Sequence, residues 1–320
     1  MMEEAVLNTL RARVGEHVSG EELSRLLGVS RTAIWKEIEK LREEGYRILA
    51  QPHTGYRLVG IPDRLIPQEL TWNLQTSCMG RRVHAYETTD STMDIAHRLA
   101  ASNEPEGAVV VAEGQSGGRG RLGRNWISPK GKGIYASVIL RPPLQLSHVP
   151  LITLMAAVAV ARAIQAETRL IPQIKWPNDV MIRGKKAAGI LTELNAELNR
   201  VHYVILGIGI NVNTPASHLP ARATSLAEEL GQRVDRVGLS RSLFVQLDRS
   251  YSEFLSQGSP AILEQWRGFA SFLGRRIRVV LEGRTVDGQA VDVDSNGELL
   301  VRTDVGLVES VAAGEVLVVR

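Results

Sequence analysis

Cysteine is almost absent from this chain, since Cys78 is the only one in 320 residues. A single cysteine excludes an internal disulfide and fits a reducing compartment, so we expect a cytoplasmic protein. Neither a His-x-x-x-His pattern nor a pair of closely spaced cysteines occurs, which argues against a tightly bound transition metal. A basic-then-apolar leader is missing as well, and we therefore expect no secretion.

Long apolar runs are also lacking. The longest, residues 149–161, is shorter than the roughly 20 residues that span a bilayer, and Arg162 follows it directly. This run predicts a buried helix, and no membrane partner is expected.

Acidic residues are missing from the whole stretch between Gly114 and Ala166, which contains seven basic residues. Five of these lie in a glycine-dense loop, GQSGGRGRLGRNWISPKGKG: Arg119, Arg121, Arg124, Lys130 and Lys132. Glycines let backbone N–H groups approach a ligand, and arginine matches phosphate or carboxylate oxygens. The loop therefore predicts an anion-binding site, with a solvated basic loop as the alternative.

Two phosphate-binding motifs can be rejected in this loop. Gly118, Gly120 and Gly123 spell G-x-G-x-x-G, but no helix signal follows and the next acidic residue is Glu167, too distant for a dinucleotide fingerprint. A Walker-type loop is excluded because Arg124 and Asn125 stand where lysine and serine or threonine are needed.

Residues 1–62 have the pattern of a winged helix-turn-helix domain. Ser19 and Glu22 are spaced as a capping box for a second helix, and Ser30 caps a third. Strand-like residues near 52–58 would form the wing. In helix-turn-helix proteins the third helix enters the major groove, which predicts five DNA-binding residues: Ser30, Arg31, Thr32, Trp35 and Lys36.

The alternative for this segment is a three-helix module that binds another protein. Residues 1–60 contain 9 Lys/Arg and 9 Asp/Glu. That balance favours the alternative, because DNA affinity depends largely on phosphate neutralisation. The spacing of helix, tight turn and helix favours DNA.

The remainder of the chain is predicted to be a mixed α/β (α+β) fold. Alternating strand and helix signals in residues 63–270 indicate a central mixed sheet with helices on one face. Short strands with period-2 patterns in residues 271–320 indicate a small SH3-like β-barrel.

Two lysines and an apolar strand are the other candidates for chemistry. Lys175 and Lys186 lie in predicted strands among apolar residues, where a lysine is costly unless it meets an anion, although both could instead reach solvent. Residues 204–211 are apolar on both faces, and their alternate glycines leave room for a flat ligand or another backbone. Ser91 and Thr92 supply hydroxyls before a helix, which a simple N-cap explains equally well.

Together these segments resemble the bifunctional biotin–protein ligase and biotin operon repressor family. The resemblance rests on Gly-Arg-Gly-Arg at 118–121, Lys-Trp-Pro-Asn-Asp at 175–179, Lys-x-x-Gly-Ile-Leu at 186–191 and Gly-Ile-Asn at 209–211. It extends over the whole chain, including the winged helix and the C-terminal β-domain.

The resemblance implies activation of biotin by Mg-ATP to biotinyl-5'-AMP, followed by transfer to a lysine of the biotin carboxyl carrier protein of acetyl-CoA carboxylase. It implies operator DNA as a partner, a homodimer in the adenylate-bound state, and repression of biotin synthesis genes. It assigns catalysis to Lys186, Arg121 and Lys175, with Asp179 as a contact for the Mg²⁺ that ATP carries. Biotin would contact Ser91, Thr92, Gln115, Gly118, Arg119, Arg121, Lys186, Gly189 and Gly207, and ATP would contact Arg121, Arg124, Trp126, Asn178 and Asn211.

Two other functions stay open at this point. The first is a ligand-sensing transcription factor whose ligase centre is vestigial; the residues that argue against it are the retained Lys175, Arg121, Asn178 and Lys186. The second is a lipoate or octanoate transferase on the same fold, against which the linked winged helix and the arginine-rich loop argue. The chain departs from the family pattern at Met93, where asparagine is common after Ser-Thr.

Overall fold

The computed structural model describes residues 2–13, 15–198 and 200–319. The chain divides into two compact units, Met1–Arg64 and Leu65–Arg320. The domain boundaries expected after residues 62 and 270 stay predictions.

The first unit is built from three helices and a two-stranded antiparallel sheet. Its elements are α1 (Met2–Ala12), α2 (Gly20–Leu27), α3 (Arg31–Glu43), β1 (Arg47–Gln51) and β2 (Gly55–Gly60).

The caps of these helices are those that the sequence predicts. The Ser19 hydroxyl accepts the N–H of Glu22 at 3.0 Å, and the Ser30 hydroxyl accepts the N–H of Ala33 at 3.2 Å. Gly28 ends α2 in the left-handed region (φ 68°), which glycine adopts without a Cβ penalty. Ile34, Ile38 and Leu41 on one face of α3 are buried in the core of this unit. The winged-helix prediction is confirmed.

The second unit contains a seven-stranded sheet in the order β3-β4-β5-β9-β8-β7-β6. Its strands are β3 (Val83–Thr89), β4 (Val109–Gln115), β5 (Gly133–Leu140), β6 (Pro172–Lys175), β7 (Asp179–Ile182), β8 (Lys185–Glu197) and β9 (Arg200–Asn211). The β3–β4 pair is parallel, and all other neighbours in this sheet are antiparallel. The predicted mixed sheet is confirmed.

Helices pack on both faces of this sheet, which corrects the expectation of one face. They are α4 (Pro67–Thr71), α5 (Thr92–Ala101), α6 (Val149–Thr168), α7 (Leu226–Leu230), α8 (Arg236–Gln257) and α9 (Ser259–Phe269). Side chains alternate between the faces along a strand. Val109 and Val111 accordingly join the core that contains α6, α8 and α9, whereas Val110 joins a second core with Ile95 and Ala96 of α5.

Helix α6 is the one described helix that is long and apolar enough to cross a membrane by length and composition. Of its most apolar window, 72% is buried inside the protein. The prediction of a buried helix at this position is confirmed.

The C-terminal β-domain is a five-stranded antiparallel sheet in the order β13-β12-β11-β10-β14. Its strands are β10 (Arg276–Val280), β11 (Thr285–Val293), β12 (Leu299–Thr303), β13 (Val308–Val311) and β14 (Glu315–Val318). The predicted barrel is not closed, because the edge strands β13 and β14 do not pair with each other within the described residues. Each edge strand has only four residues, which leaves little backbone to close the ring.

Trp176 connects the central sheet to this C-terminal sheet. Its ring is buried, and its Nε1–H donates to the carbonyl oxygen of Gly297 at 3.0 Å. Gly297 lies in the turn before β12, with φ at 85°. The tryptophan of the Lys-Trp-Pro-Asn-Asp segment is therefore a packing residue.

Candidate functional site

A cavity lies between the start of α5, the glycine-rich loop, and strands β8 and β9. Its lining combines hydroxyls, an amide, cations and small or apolar residues. The lining residues are Ser91, Thr92, Met93, Gln115, Arg119, Gly120, Arg121, Trp126, Ala136, Asn178, Lys186, Gly189, Ile190, Leu191, Gly207, Ile208 and Gly209.

One end of the cavity is polar and uncharged. The Gln115 side-chain oxygen accepts the N–H of Thr92 at 2.9 Å and its hydroxyl at 3.1 Å. The Gln115 amide nitrogen donates to the Ser128 hydroxyl at 2.9 Å. Ser91, the N-cap of α5, accepts the N–H of Met93 at 3.3 Å. These groups are held in place by hydrogen bonds to one another, as expected of a preorganised polar subsite.

The other end of the cavity is cationic. The Lys186 ammonium lies 2.5 Å from the Asp179 carboxylate and 5.4 Å from the centroid of the Trp126 ring. Arg121 donates to the Asn178 side-chain oxygen at 3.3 Å. Burial lowers the pKa of the Arg121 guanidinium, and the charge of Asp179 opposes that shift. Two positive charges thus converge on one side of the cavity, where they can stabilise a developing negative charge.

The Trp126 indole lies directly over two glycines of the sheet. A Cβ atom at Gly209 would be 2.4 Å from Trp126 Cε2, and one at Gly189 would be 3.0 Å from Cζ3. Of the alternating glycines of β9 singled out in the sequence, Gly209 therefore makes room for this indole, together with Gly189 of β8. Its buried Nε1 has no hydrogen-bond partner within the described residues.

Carboxylates from other elements meet the cations of the glycine-rich loop. Although the loop itself has no acid, Arg119 lies 2.5 Å from Asp94 and 3.3 Å from Glu193. Arg124 lies 2.6 Å from Glu315, and Lys130 lies 2.5 Å from Glu87. The counter-charges that the sequence lacks locally are thus supplied by α5, β8, β14 and β3. An incoming anion has to exchange with them.

Ten of the residues predicted for the site line the cavity. They are Ser91, Thr92, Gln115, Arg119, Arg121, Trp126, Asn178, Lys186, Gly189 and Gly207.

Five others do not line it: Gly118, Arg124, Lys175, Asp179 and Asn211. Asp179 lies behind Lys186, and the Asn211 side chain donates to the Thr224 carbonyl at 3.1 Å. A Cβ at Gly118 would be 2.5 Å from the Trp126 carbonyl oxygen, so Gly118 shapes the loop.

Lys175 ends the outer strand β6, and its charge acts on Glu315 of β14. The hydrogen bond and charge of Arg124 are the main cause of the lowered pKa of Glu315, and Lys175 adds to that effect. Lys175 and Arg124 therefore share a carboxylate outside the cavity.

The apolar part of the lining was largely missed. Met93 and the pair Ile190 and Leu191 form walls of the cavity. A Cβ at Gly207 would be 2.6 Å from the Met93 sulfur, so Met93 fills the space above that glycine. In the sequence, Gly207 indicated that another group packs closely against the strand, but it did not identify that group as Met93.

The surface of α3 carries the residues predicted to contact DNA. Ser30 is the N-cap, and Arg31, Thr32 and Lys36 are exposed. The Trp35 side chain is 52% exposed beside them, so it is accessible to a partner.

No group of three or more His, Cys, Asp or Glu side chains suited to a metal ion occurs in the described parts of the chain. Asp179 is a single carboxylate, and Lys186 already neutralises it.

A mixed sheet with a glycine-rich cationic loop, joined to a helix-turn-helix unit, defines a DNA-binding member of the biotin/lipoate ligase class. Family models agree: "Biotin/lipoate A/B protein ligase family" matches residues 85–211, "HTH domain" matches 3–57, and "Biotin protein ligase C terminal domain" matches 272–319.

The chain is 42% identical over 296 residues to the bifunctional ligase/repressor BirA of Bacillus spizizenii, covering 91% of each chain. It is 31% identical to the biotin–[acetyl-CoA-carboxylase] ligase of Mycobacterium tuberculosis, covering 81% of this chain and 98% of that protein. The structure of the Aquifex aeolicus biotin protein ligase in complex with biotin and ATP matches with a TM-score of 0.64 at 30% identity, covering 75% of this chain and 99% of that one. The chain belongs to the bifunctional biotin ligase/repressor family.

Proposed function

We propose that this protein activates biotin with ATP and transfers it to the acceptor lysine of the biotin carboxyl carrier protein of acetyl-CoA carboxylase. We also propose that it represses biotin synthesis genes through its helix-turn-helix unit. Family membership supports both activities, and the cavity supplies the chemistry of the first.

One observation carries the ligase proposal: Lys186 and Arg121 line the same cavity as Ser91, Thr92 and Gln115. The hydroxyl and amide end suits the cyclic urea of biotin, which is neutral and makes hydrogen bonds. The cationic end suits the biotin carboxylate and the α-phosphate of ATP, which carry negative charge.

In the first step a carboxylate oxygen of biotin bonds to the α-phosphorus, and the bond from that phosphorus to the β-phosphate bridging oxygen breaks. The products are biotinyl-5'-AMP and pyrophosphate. Negative charge spreads over phosphoryl oxygens in the transition state, so fixed cations stabilise it without a protein nucleophile. Lys186 and Arg121 are placed for that role, since both can move from their present partners to the phosphate.

In the second step the amine of the carrier lysine attacks the acyl carbon, an amide forms, and AMP leaves. Mg²⁺ enters on the ATP phosphates, because octahedral Mg²⁺ is commonly held by phosphate oxygens, water and one or two carboxylates. Asp179 is the carboxylate at the cationic end that would contact it once Lys186 turns to the phosphate.

Arg124, Trp126, Asn178 and Asn211 are assigned to the nucleotide, as the family resemblance implies. Arg124 must leave Glu315 to reach it, a change that its exposed position permits. Asn178 is fixed by donation to the Ile190 carbonyl at 2.8 Å. Lys175 would act at longer range, by drawing Glu315 away from Arg124.

For repression we propose that α3 enters the major groove of the operator through Arg31, Thr32, Trp35 and Lys36. The adenylate-bound protein would form a homodimer, whose two recognition helices read a two-part site. We propose a cytoplasmic location, which the single cysteine and the family membership support.

The ligase proposal is tested by incubating the protein with biotin, Mg-ATP and a carrier domain, followed by a streptavidin blot. A labelled carrier is expected. An unlabelled carrier, with operator binding that still responds to biotin, would instead favour a sensor with a vestigial ligase centre. Labelling by lipoate or octanoate in place of biotin would favour the transferase alternative.

A further inference from the structure

A directed chain of hydrogen bonds runs beneath the polar end of the cavity. It joins three buried hydroxyls and one amide, from Ser137 on β5 through Thr92 and Gln115 to Ser128. Ser137 and Ser128 do not line the cavity, and neither is assigned a role in the proposed reaction.

The backbone fixes which way the Gln115 amide faces. The N–H of Thr92 can only donate, and it lies 2.9 Å from the Gln115 side-chain oxygen, so the amide nitrogen cannot occupy that position. The Thr92 hydroxyl also donates to the same oxygen, at 3.1 Å. Both lone pairs of that oxygen are therefore used inside the protein.

The remaining proton positions follow by elimination. The Thr92 hydroxyl has one proton and gives it to Gln115, so in its 2.8 Å contact with Ser137 the Ser137 hydroxyl is the donor. At the other end the Gln115 amide nitrogen donates to Ser128 at 2.9 Å, and the Ser128 hydroxyl donates to the Trp126 carbonyl at 3.0 Å. Among the residues that the structure describes, the second amide proton of Gln115 has no acceptor.

We propose that Ser128 is a positioning residue that holds the Gln115 amide so that its remaining N–H faces the ligand. The polar end then accepts a ligand oxygen and rejects a ligand N–H at that position. This inference rests on the proposed function, because it takes the urea oxygen of biotin as the atom that meets Gln115.

The geometry explains why Ser128 and not Ser137 has this effect. Removing the Ser128 hydroxyl takes the acceptor from the amide nitrogen, while the Gln115 oxygen stays held by Thr92, so the nitrogen can swing about that oxygen and its remaining N–H no longer has a fixed direction. Removing the Ser137 hydroxyl leaves both Thr92 contacts to Gln115 and the contact to Ser128 in place. Ser137→Ala is therefore a matched control in the same chain.

The test compares calorimetric binding of biotin and 2-iminobiotin, in which a nitrogen bearing N–H replaces the urea oxygen, to the full-length protein. The wild type is expected to prefer biotin. Ser128→Ala should reduce that preference about 3- to 10-fold, the range expected for one hydrogen bond. Ser137→Ala should weaken both ligands equally and leave the ratio at the wild-type value.

If Ser128→Ala binds both ligands more weakly but keeps the wild-type ratio of biotin to 2-iminobiotin affinity, the positioning role is overturned and the proposed function stays intact. Failure of the wild type to bind biotin would overturn both. If Ser128→Ala does not fold, Gln115→Glu tests the same polarity, because a carboxylate has no N–H to donate. It should weaken biotin more than 2-iminobiotin, and the reverse order would contradict the inference.

Discussion

Substituting Gly209 by alanine should disable the site while leaving the fold intact. The new methyl group would lie 2.4 Å from Trp126 Cε2 and 2.5 Å from Nε1, whereas ordinary contacts begin near 3.4 Å. The indole must therefore shift by about 1 Å, and a displacement of that size in a catalytic site can cost on the order of 100-fold in rate. Since the Trp126 Nε1 has no hydrogen bond to lose, the shift should cost little stability.

The assay is biotin-dependent pyrophosphate exchange with ATP, measured beside thermal unfolding. Gly268→Ala on α9 is the control, because nothing lies within 4 Å of its new methyl group. That variant should exchange at the wild-type rate and gain up to about 1 kcal/mol of stability.

The pyrophosphate exchange rate of Gly207→Ala should lie between those of Gly209→Ala and Gly268→Ala. Its methyl group would meet the Met93 sulfur at 2.6 Å, but this is the end of a flexible side chain that can turn away.

Exchange at the wild-type rate by Gly209→Ala, with a normal unfolding midpoint, would refute the claim that the indole position governs the first step.

Three further predictions concern charge. Lys186→Ala should abolish adenylate formation. Its unfolding midpoint should be unchanged, because the lysine is half-buried at the cavity and its removal leaves no void in the core. Pyrophosphate exchange at the wild-type rate by this variant would reject the role of Lys186. Glu113→Ala should destabilise the second unit by about 3–5 kcal/mol, since it removes the carboxylate that lies 2.8 Å from the buried Arg236 guanidinium. Lys130→Ala, which breaks an exposed pair with Glu87, should cost less than about 1 kcal/mol. Equal unfolding midpoints of the two variants would contradict this difference. Arg31→Ala should weaken operator binding in a gel-shift assay without affecting carrier labelling, and an unchanged shift would count against α3 as the recognition helix.

Local chemistry made the winged helix and the cationic loop of the cavity predictable from the sequence, whereas the polar residues of the cavity were assigned to a ligand only by the family resemblance. Ser19, Ser30 and Gly28 specify helix ends through their own side chains or backbone freedom, so their neighbours are enough to place them. Lys186 and the glycine-rich loop were recognisable because a lysine in an apolar strand is costly unless it meets an anion, and because arginines among glycines match phosphate or carboxylate oxygens.

Long-range contacts were not predictable in the same way. The contact between Arg124 and Glu315 joins residues 191 positions apart, and no local pattern indicates it. The packing of α5 on the second face of the sheet could not be predicted, because the buried strands β4 and β5 are apolar on both faces and give no sign of which face is covered.

The counter-charges of the glycine-rich loop are contacts that an incoming anion can displace. Each of Arg119, Arg124 and Lys130 is paired with a carboxylate from a different element, and each pair is at least partly exposed. Exposed pairs contribute little stability, so an anion that meets the same cations can displace them at small cost. Neutralising Glu315 alone should then tighten ATP binding by freeing Arg124, which makes the carboxylate a competitor of the nucleotide.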